Sequence, residues 1–307
     1  MKIIPPFLKP GDLIGVCAPA RKVSPEEMKE GVAWLNQKGF VLKESERLYN
    51  SQNQFSGSDE ERAIDLQALI NDPEVKAIIF ARGGYGCVRI IDQIDFSALE
   101  KHPKWLIGFS DTTVIHSHLN IHHSVCTLHA PMMINLMKDK RSEDAANKII
   151  DIITGKNIRY TENKASTFNR EGVCEGELVG GNLSLLFALA GTPSDITTNN
   201  KILFIEDLDE YLYHIDRMMM QLKRSGKLKN LKGLIVGGMS DMRDNAIPFG
   251  KSAVEIISEA VAEYNYPVCF DFPSGHIDRN LPLVFGATVK LVVGEKVDLT
   301  FLYDSAS

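Results

Sequence analysis

The sequence predicts an α/β protein, and three observations carry that prediction. Short apolar runs alternate with helix-length amphipathic stretches along residues 12–122, the pattern of strands joined by crossover helices into a parallel sheet. Two of those runs end at glycine-bearing turns, Gly83 and Gly108, and a later one ends in acids at Glu206. Such sheets form their sites at the carboxyl ends of strands. Finally, 307 residues with 44% hydrophobic and 24% charged side chains suit a globular chain with a sizeable core, of about two domains or one large α/β unit.

The elements follow in order. Residues 12–20 form a strand pattern stopped by Pro19. Ser24, Pro25, Glu26 and Glu27 then open a helix to about residue 37, with serine at the N-cap, proline at the first helical position and acids in the first turn. Further on the sequence predicts strand over 40–44, helix over 58–71, strand over 75–81, helix over 88–93, strand over 105–109 and helix over 112–122. A polar, irregular stretch at 156–172 is expected to be a linker, which gives domains at 1–155 and 173–307. The second domain is expected to hold helices at 182–190, 213–225 and 252–264, strands at 201–206, 233–238 and 267–271, and a closing hairpin of 288–293 and 296–302. Gly294 and Glu295 make its turn.

Composition excludes several function classes. A net charge of −6 without a Lys/Arg cluster disfavours nucleic acid and leaves a small molecule or peptide as the expected substrate. The five cysteines are scattered with no C-x-x-C, so neither a disulfide framework nor a zinc site is expected. With no signal-peptide core and no run near the roughly 18 apolar residues of a membrane span, the expected location is cytoplasmic, with no membrane partner. His118 and His122 have metal-compatible spacing, yet no H-E-x-x-H accompanies them and no metal is expected.

The chemistry centres on Ile107-Gly-Phe-Ser-Asp-Thr112, where an apolar strand runs directly into helix-like sequence. Gly108, two residues before Ser110, admits a tight turn that presents a serine hydroxyl, and the Asp111 N–H after it can serve an oxyanion hole. Ser-Asp ahead of a helix is also an ordinary cap, and Thr112 stands where common hydrolase elbows have glycine, so both readings stand at this point. A serine nucleophile needs a base and a carboxylate to orient that base. His276, in the Gly/Pro-rich segment 272–282, is the candidate base, and Glu206 the candidate orienter, with Asp207 as its alternative. The turn Gly83-Gly84-Tyr85-Gly86 is neither a dinucleotide fingerprint nor a phosphate loop. Its glycines let the backbone approach a ligand and aim N–H groups at it, which suits a second oxyanion donor.

Seven stretches in order, Leu8-Lys-Pro-Gly-Asp-Leu-Ile-Gly-Val-Cys-Ala-Pro-Ala20, Ala81-Arg-Gly-Gly-Tyr-Gly86, Ile107 to Thr112, His129-Ala-Pro131, Val179-Gly-Gly-Asn-Leu-Ser184, Phe204-Ile-Glu-Asp207 with Ile215-Asp-Arg217, and Gly275-His276 through Asn280-Leu-Pro282, resemble the LD-carboxypeptidases. These are serine peptidases that trim murein peptides in the bacterial cytoplasm. The resemblance implies a Ser110–His276–Glu206 triad, an oxyanion hole at the Gly84 and Asp111 amides, and loss of D-alanine from a murein tetrapeptide. It also implies a flavodoxin-like N-terminal domain, a C-terminal swivelling β/α domain, a homodimer, and neither metal nor cofactor. The substrate's carboxylate calls for a cation, for which Arg82, Arg217 and Arg279 are candidates; Tyr85 and Asn182 complete the expected binding set. A related branch hydrolyses microcin-type peptide-nucleotides and favours an aromatic loop, but no tryptophan follows Trp105. The non-enzymatic alternative is a peptide- or sugar-binding α/β module in which Ser110 only caps a helix.

Overall fold

The computed structural model describes residues 2–137, 139–163 and 166–303, so residues 164–165 of the expected linker and the outermost residues of both expected domains lie outside it. Along the first part run β1 (Leu13–Cys17), α1 (Pro25–Gln37), β2 (Val41–Glu44), α2 (Asp59–Asn71), β3 (Val75–Phe80), α3 (Cys87–Ile90), α4 (Ala98–Lys101), β4 (Trp105–Gly108), α5 (Thr113–His122), β5 (Thr127–His129) and α6 (Lys140–Ile153). The rest comprises β6 (Arg159–Glu162), β7 (Gly172–Asn182), α7 (Leu183–Ala188), β8 (Ile202–Leu208), α8 (Leu212–Arg224), β9 (Gly233–Ser240), α9 (Ala253–Ala260), β10 (Val268–Cys269), β11 (Leu283–Phe285), β12 (Thr288–Val293) and β13 (Val297–Phe301).

Local sequence sets many of these boundaries. Ser24 with Glu27, Ser58 with Glu61 and Ser252 with Glu255 each form a complete capping box at the start of α1, α2 and α9. Such a cap stabilises a helix start by about 1 kcal/mol. Strands β3 and β4 are buried almost throughout, which explains why they read as continuous apolar runs without alternation.

Two sheets result. The first has the order β2-β1-β3-β4-β5-β11; its first five strands are parallel and β11 joins antiparallel. This 2-1-3-4-5 order is flavodoxin-like and puts a topological switch point between the carboxyl ends of β1 and β3. The second sheet, β10-β9-β8-β7-β12-β13-β6, is parallel from β7 to β10 and antiparallel across β12, β13 and β6. One apolar core includes Trp105 and Ile107 of the first sheet with Phe204, Phe285 and Leu299, so the sheets share an interior.

The structure departs from the sequence expectation in specific places. Within the stretch read as a linker, Arg159–Glu162 is the edge strand of the second sheet. From the expected second domain, β11 crosses back to pair with β5 of the first. Besides β6, five elements, α4, β5, α6, β7 and β11, went unrecognised in sequence; α4 is four residues, β5 and β11 are only three each, and β7 is rich in glycine and charge. The helix at 252–264 closes by Ala260, and the strand at 267–271 shortens to Val268–Cys269. No helix among the described residues is long and apolar enough to cross a membrane.

Candidate active site

Strand β4 delivers Ser110 in a strained conformation. Phe109 is extended, with φ −145°, and Ser110 then turns left-handed at φ +63° before a short 3₁₀ turn leads into α5. A non-glycine residue in that region costs about 1–3 kcal/mol and persists where the surroundings enforce it. Gly108 is required by space: a Cβ there would lie 2.8 Å from Phe80 and 2.9 Å from Thr112 Oγ1. Thr112 takes the place of the usual second glycine and donates its hydroxyl to the Phe109 carbonyl at 3.0 Å, which closes the elbow. The cap positions of the 3₁₀ turn and of α5 are Phe109 and Thr112, so Ser110 is not the N-cap that the alternative reading supposed.

The glycine turn after β3 lies against this elbow. A Cβ on Gly83 would come within 3.1 Å of Ser110 Cβ and 3.3 Å of its Oγ. Gly84 has φ +116° and its N–H enters no backbone hydrogen bond among the described residues. The Asp111 N–H, in a first helical turn, likewise has no i−4 acceptor. Two buried side chains fasten the turn, one to the elbow and one to the segment after β1. Asp111 Oδ2 accepts from the Cys87 amide at 2.8 Å, and the Arg62 guanidinium donates to the carbonyls of Pro19 and Gly86. Burial raises the Asp111 pKa, while the Cys87 amide opposes that shift.

The second sheet supplies an imidazole–carboxylate pair. Glu206, fully buried on β8, accepts from His276 Nδ1 at 2.6 Å and from the His276 backbone N–H at 3.1 Å. Facing a carboxylate, Nδ1 carries the proton, and Nε2 is left with its lone pair. Burial works against the charged ring, but the charge and hydrogen bond of Glu206, with Asp207 behind it, outweigh burial and raise the His276 pKa above its ordinary value. Gly275 makes the approach feasible, since its φ is +103° and a Cβ there would lie 2.7 Å from Glu206 Cβ. The loop is braced by Asn280, whose Oδ1 accepts from the Gly275 amide at 2.8 Å.

Strand β11 explains how the two halves meet. It follows the His276 loop directly and pairs with β5, the neighbour of β4, so the loop is carried to the carboxyl end of the strand that bears Ser110. The His276 ring lies 4.7 Å, centroid to centroid, from that of Phe109. Behind them His129 packs edge-on against Phe109 and Phe204, and burial, with His116 and His276 nearby, holds it neutral. A cleft of about 320 Å³ opens beside His276, lined by Phe109, Pro131, Asn135, Leu208, Ile277 and Asn280 among others. A serine on a left-handed elbow, its neighbour Phe109 packed on an imidazole that a buried carboxylate orients, is the kind of arrangement that acyl transfer uses.

Several expected residues have other employment. Asp207 binds Asn182 Nδ2 at 2.8 Å and Ser184 Oγ at 2.7 Å instead of His276, so it is not the orienter; burial and Glu206 raise its pKa to about 6. Asn182 also caps α7 and is buried, which removes it from the binding set. Arg279 donates to Asp144 at 3.0 Å and Glu162 at 2.8 Å, and Arg82 to Glu27 at 2.7 Å, so both are neutralised. Arg217 stacks on Tyr213, 5.2 Å from the ring centroid, away from the cleft. Tyr85 is exposed and leans on Phe55. His118 and His122 bond to Ser194 and Pro193, and no cluster of three or more metal-ligating side chains occurs among the described residues. Sequence reasoning missed Arg62 and the Asp111 carboxylate, which hold the glycine turn, and Arg21, whose stalk lies on Gly84; the position of Arg21 directly after the first strand pattern was its available signal.

Known proteins are similar to this chain over nearly its whole length. Residues 14–130 fit the LD-carboxypeptidase N-terminal domain and residues 175–291 the LD-carboxypeptidase C-terminal domain. A probable murein peptide carboxypeptidase of Bacillus subtilis is 36% identical over 300 residues, covering 95% of this chain and 92% of that protein. The crystal structure of muramoyltetrapeptide carboxypeptidase from Oxalobacter formigenes superposes with a TM-score of 0.84 at 28% identity, covering 96% of this chain and 100% of the other. The microcin C7 self-immunity protein MccF shares the fold, with a TM-score of 0.89 at 22% identity over 99% of this chain and 100% of its own. The chain belongs to the LD-carboxypeptidase family of serine peptidases.

Proposed function

We propose that this protein hydrolyses the amide joining an L-centre to the terminal D-alanine of a murein tetrapeptide, in cell-wall recycling, through a Ser110–His276–Glu206 triad. The observation that carries the reading is the 2.6 Å bond from buried Glu206 to His276 in a loop packed against the left-handed Ser110 elbow. In the proposed reaction His276 Nε2 takes the hydroxyl proton as Ser110 Oγ bonds to the substrate carbonyl carbon. The Gly84 and Asp111 amides hold the oxyanion. Collapse breaks the C–N bond, the His276 proton leaves with the amine of D-alanine, and water, deprotonated by the same ring, then releases the acyl group from Ser110. The reading further includes action in the cytoplasm and a homodimer.

Mass spectrometry of murein tetrapeptide after incubation with the purified protein tests it. Loss of one D-alanine, abolished in Ser110→Ala by at least about 10⁴-fold, is expected. An unchanged mass with wild type sinks the reading and redirects attention to peptide-nucleotide amides; hydrolysis persisting in Ser110→Ala sinks the triad.

A further inference from the structure

We infer that Arg21 is the residue that recognises the free carboxylate of the departing D-residue, an inference that rests on the function proposed above. A carboxypeptidase must distinguish a chain end from an internal amide, and a charged guanidinium fork is suited to that choice because it matches a carboxylate in two parallel hydrogen bonds. The arginines nominated from sequence are committed elsewhere: Arg82 to Glu27, Arg279 to Asp144 and Glu162, Arg217 to the Tyr213 ring.

Arg21 differs in three respects. It is exposed and forms no ion pair among the described residues. Its stalk lies on the glycine turn, so closely that a Cβ on Gly84 would fall 2.0 Å from Arg21 Cδ and 2.5 Å from Cγ. Neighbouring Gly83 is the residue whose Cβ position is 3.3 Å from Ser110 Oγ. Because consecutive Cα atoms are about 3.8 Å apart, the Arg21 stalk stands about one residue beyond the backbone that touches the serine. That is the spacing between a scissile carbonyl and the carboxylate of the single residue after it.

Topology gives a second, independent argument. Arg21 follows β1 and Gly84 follows β3, so both lie at the switch point of the first sheet, where open α/β sheets bind their ligands. Its backbone is fixed there: Arg21 bridges Phe55, and the flanking Ala20 carbonyl and Lys22 amide bond to Ser56 and Gln54. The root of the side chain is therefore rigid, while its charged end has no hydrogen-bond or ion-pair partner among the described residues.

The test compares murein tetrapeptide bearing a free terminal carboxylate with the same peptide ending in a carboxamide, for wild type, Arg21→Met and Arg21→Lys. Wild type is expected to prefer the free acid. In Arg21→Met, which keeps an unbranched stalk over Gly84, kcat/KM for the acid falls about 10- to 100-fold, mostly through KM, and the acid-to-amide ratio drops toward one; Arg21→Lys restores part of it. The ratio is internal to each variant, so a general loss of folded protein does not move it. An Arg21→Met enzyme that keeps the wild-type ratio, or a wild type indifferent to the amide, overturns the assignment and leaves the proposed function intact. A wild type that cleaves neither peptide overturns the proposed function, and this assignment with it.

Discussion

The carboxyl ends of β4 and β8 solve different problems. At β4 the backbone is the device: Ser110 is left-handed on a bend where Gly108 leaves no room for a Cβ against Phe80 and Thr112, and the proposed nucleophile sits on that bend. At β8 the backbone is regular and the device is a side chain, a fully buried carboxylate whose charge is answered by one imidazole from 70 residues away. Local sterics specify the first, and long-range electrostatics the second. The first should therefore break with volume and the second with charge.

Charge removal at Glu206 makes the larger of these tests. Glu206→Gln preserves shape while removing what favours the protonated ring, and the expected loss in kcat/KM is about 10²- to 10⁴-fold. The sign of the pH effect follows from the shift. His276 accepts a proton only when neutral, and its pKa is raised, so wild-type kcat/KM rises with pH through a limb lying above the usual histidine value. In the variant, the Glu206 charge no longer opposes burial, Asp207 is the carboxylate left to do so, and the limb moves to lower pH. A pH profile with an unmoved limb would mean that Glu206 only braces the loop.

The elbow side is probed through Asp111, whose carboxylate ties the Ser110 turn to the Cys87 amide. Asp111→Ala leaves a buried N–H without a partner, with an expected cost of about 1–3 kcal/mol in stability and a drop of about 10- to 100-fold in kcat at nearly constant KM, because the two backbone donors lose their mutual register. Asp111→Asn, which keeps an acceptor, restores most of the activity. Thermal melts and steady-state kinetics on the pair separate the effects, and an alanine variant with wild-type kcat would show that the turn holds its place unaided.

This contrast also explains what was legible in the sequence. The elbow could be read because its signature, Gly108-Phe-Ser110 after an apolar strand, is contiguous, as are the capping serines of α1, α2 and α9. Glu206 and His276 could be nominated from strand ends and loop composition, but the choice between Glu206 and Asp207 could not be made, because it depends on which acid Asn182 and Ser184 occupy across the sheet. Strand β7 escaped notice because its glycines and glutamates look like a turn. It is central in its sheet, and a Cβ on Gly180 would fall 1.9 Å from the Phe204 carbonyl, a requirement invisible until β8 is beside it. Arginine roles were the least readable, since a guanidinium has no local preference that records its partner.

Arg279 is the sharpest instance and carries the smallest expected effect. Its fork spans Asp144 on α6 and Glu162 on β6, 135 and 117 positions away in sequence, and so joins the helix after the first sheet to the edge of the second. The guanidinium is partly exposed, and solvent screening limits such pairs to about 1 kcal/mol or less. Arg279→Met is therefore expected to lower stability by no more than that and to leave KM for the tetrapeptide within about twofold. A rise in KM of tenfold or more, at unchanged melting temperature, would show that Arg279 leaves its two acids to meet substrate. The contact between the sheets would then be a moving part of the site, where the present geometry makes it a fixed one.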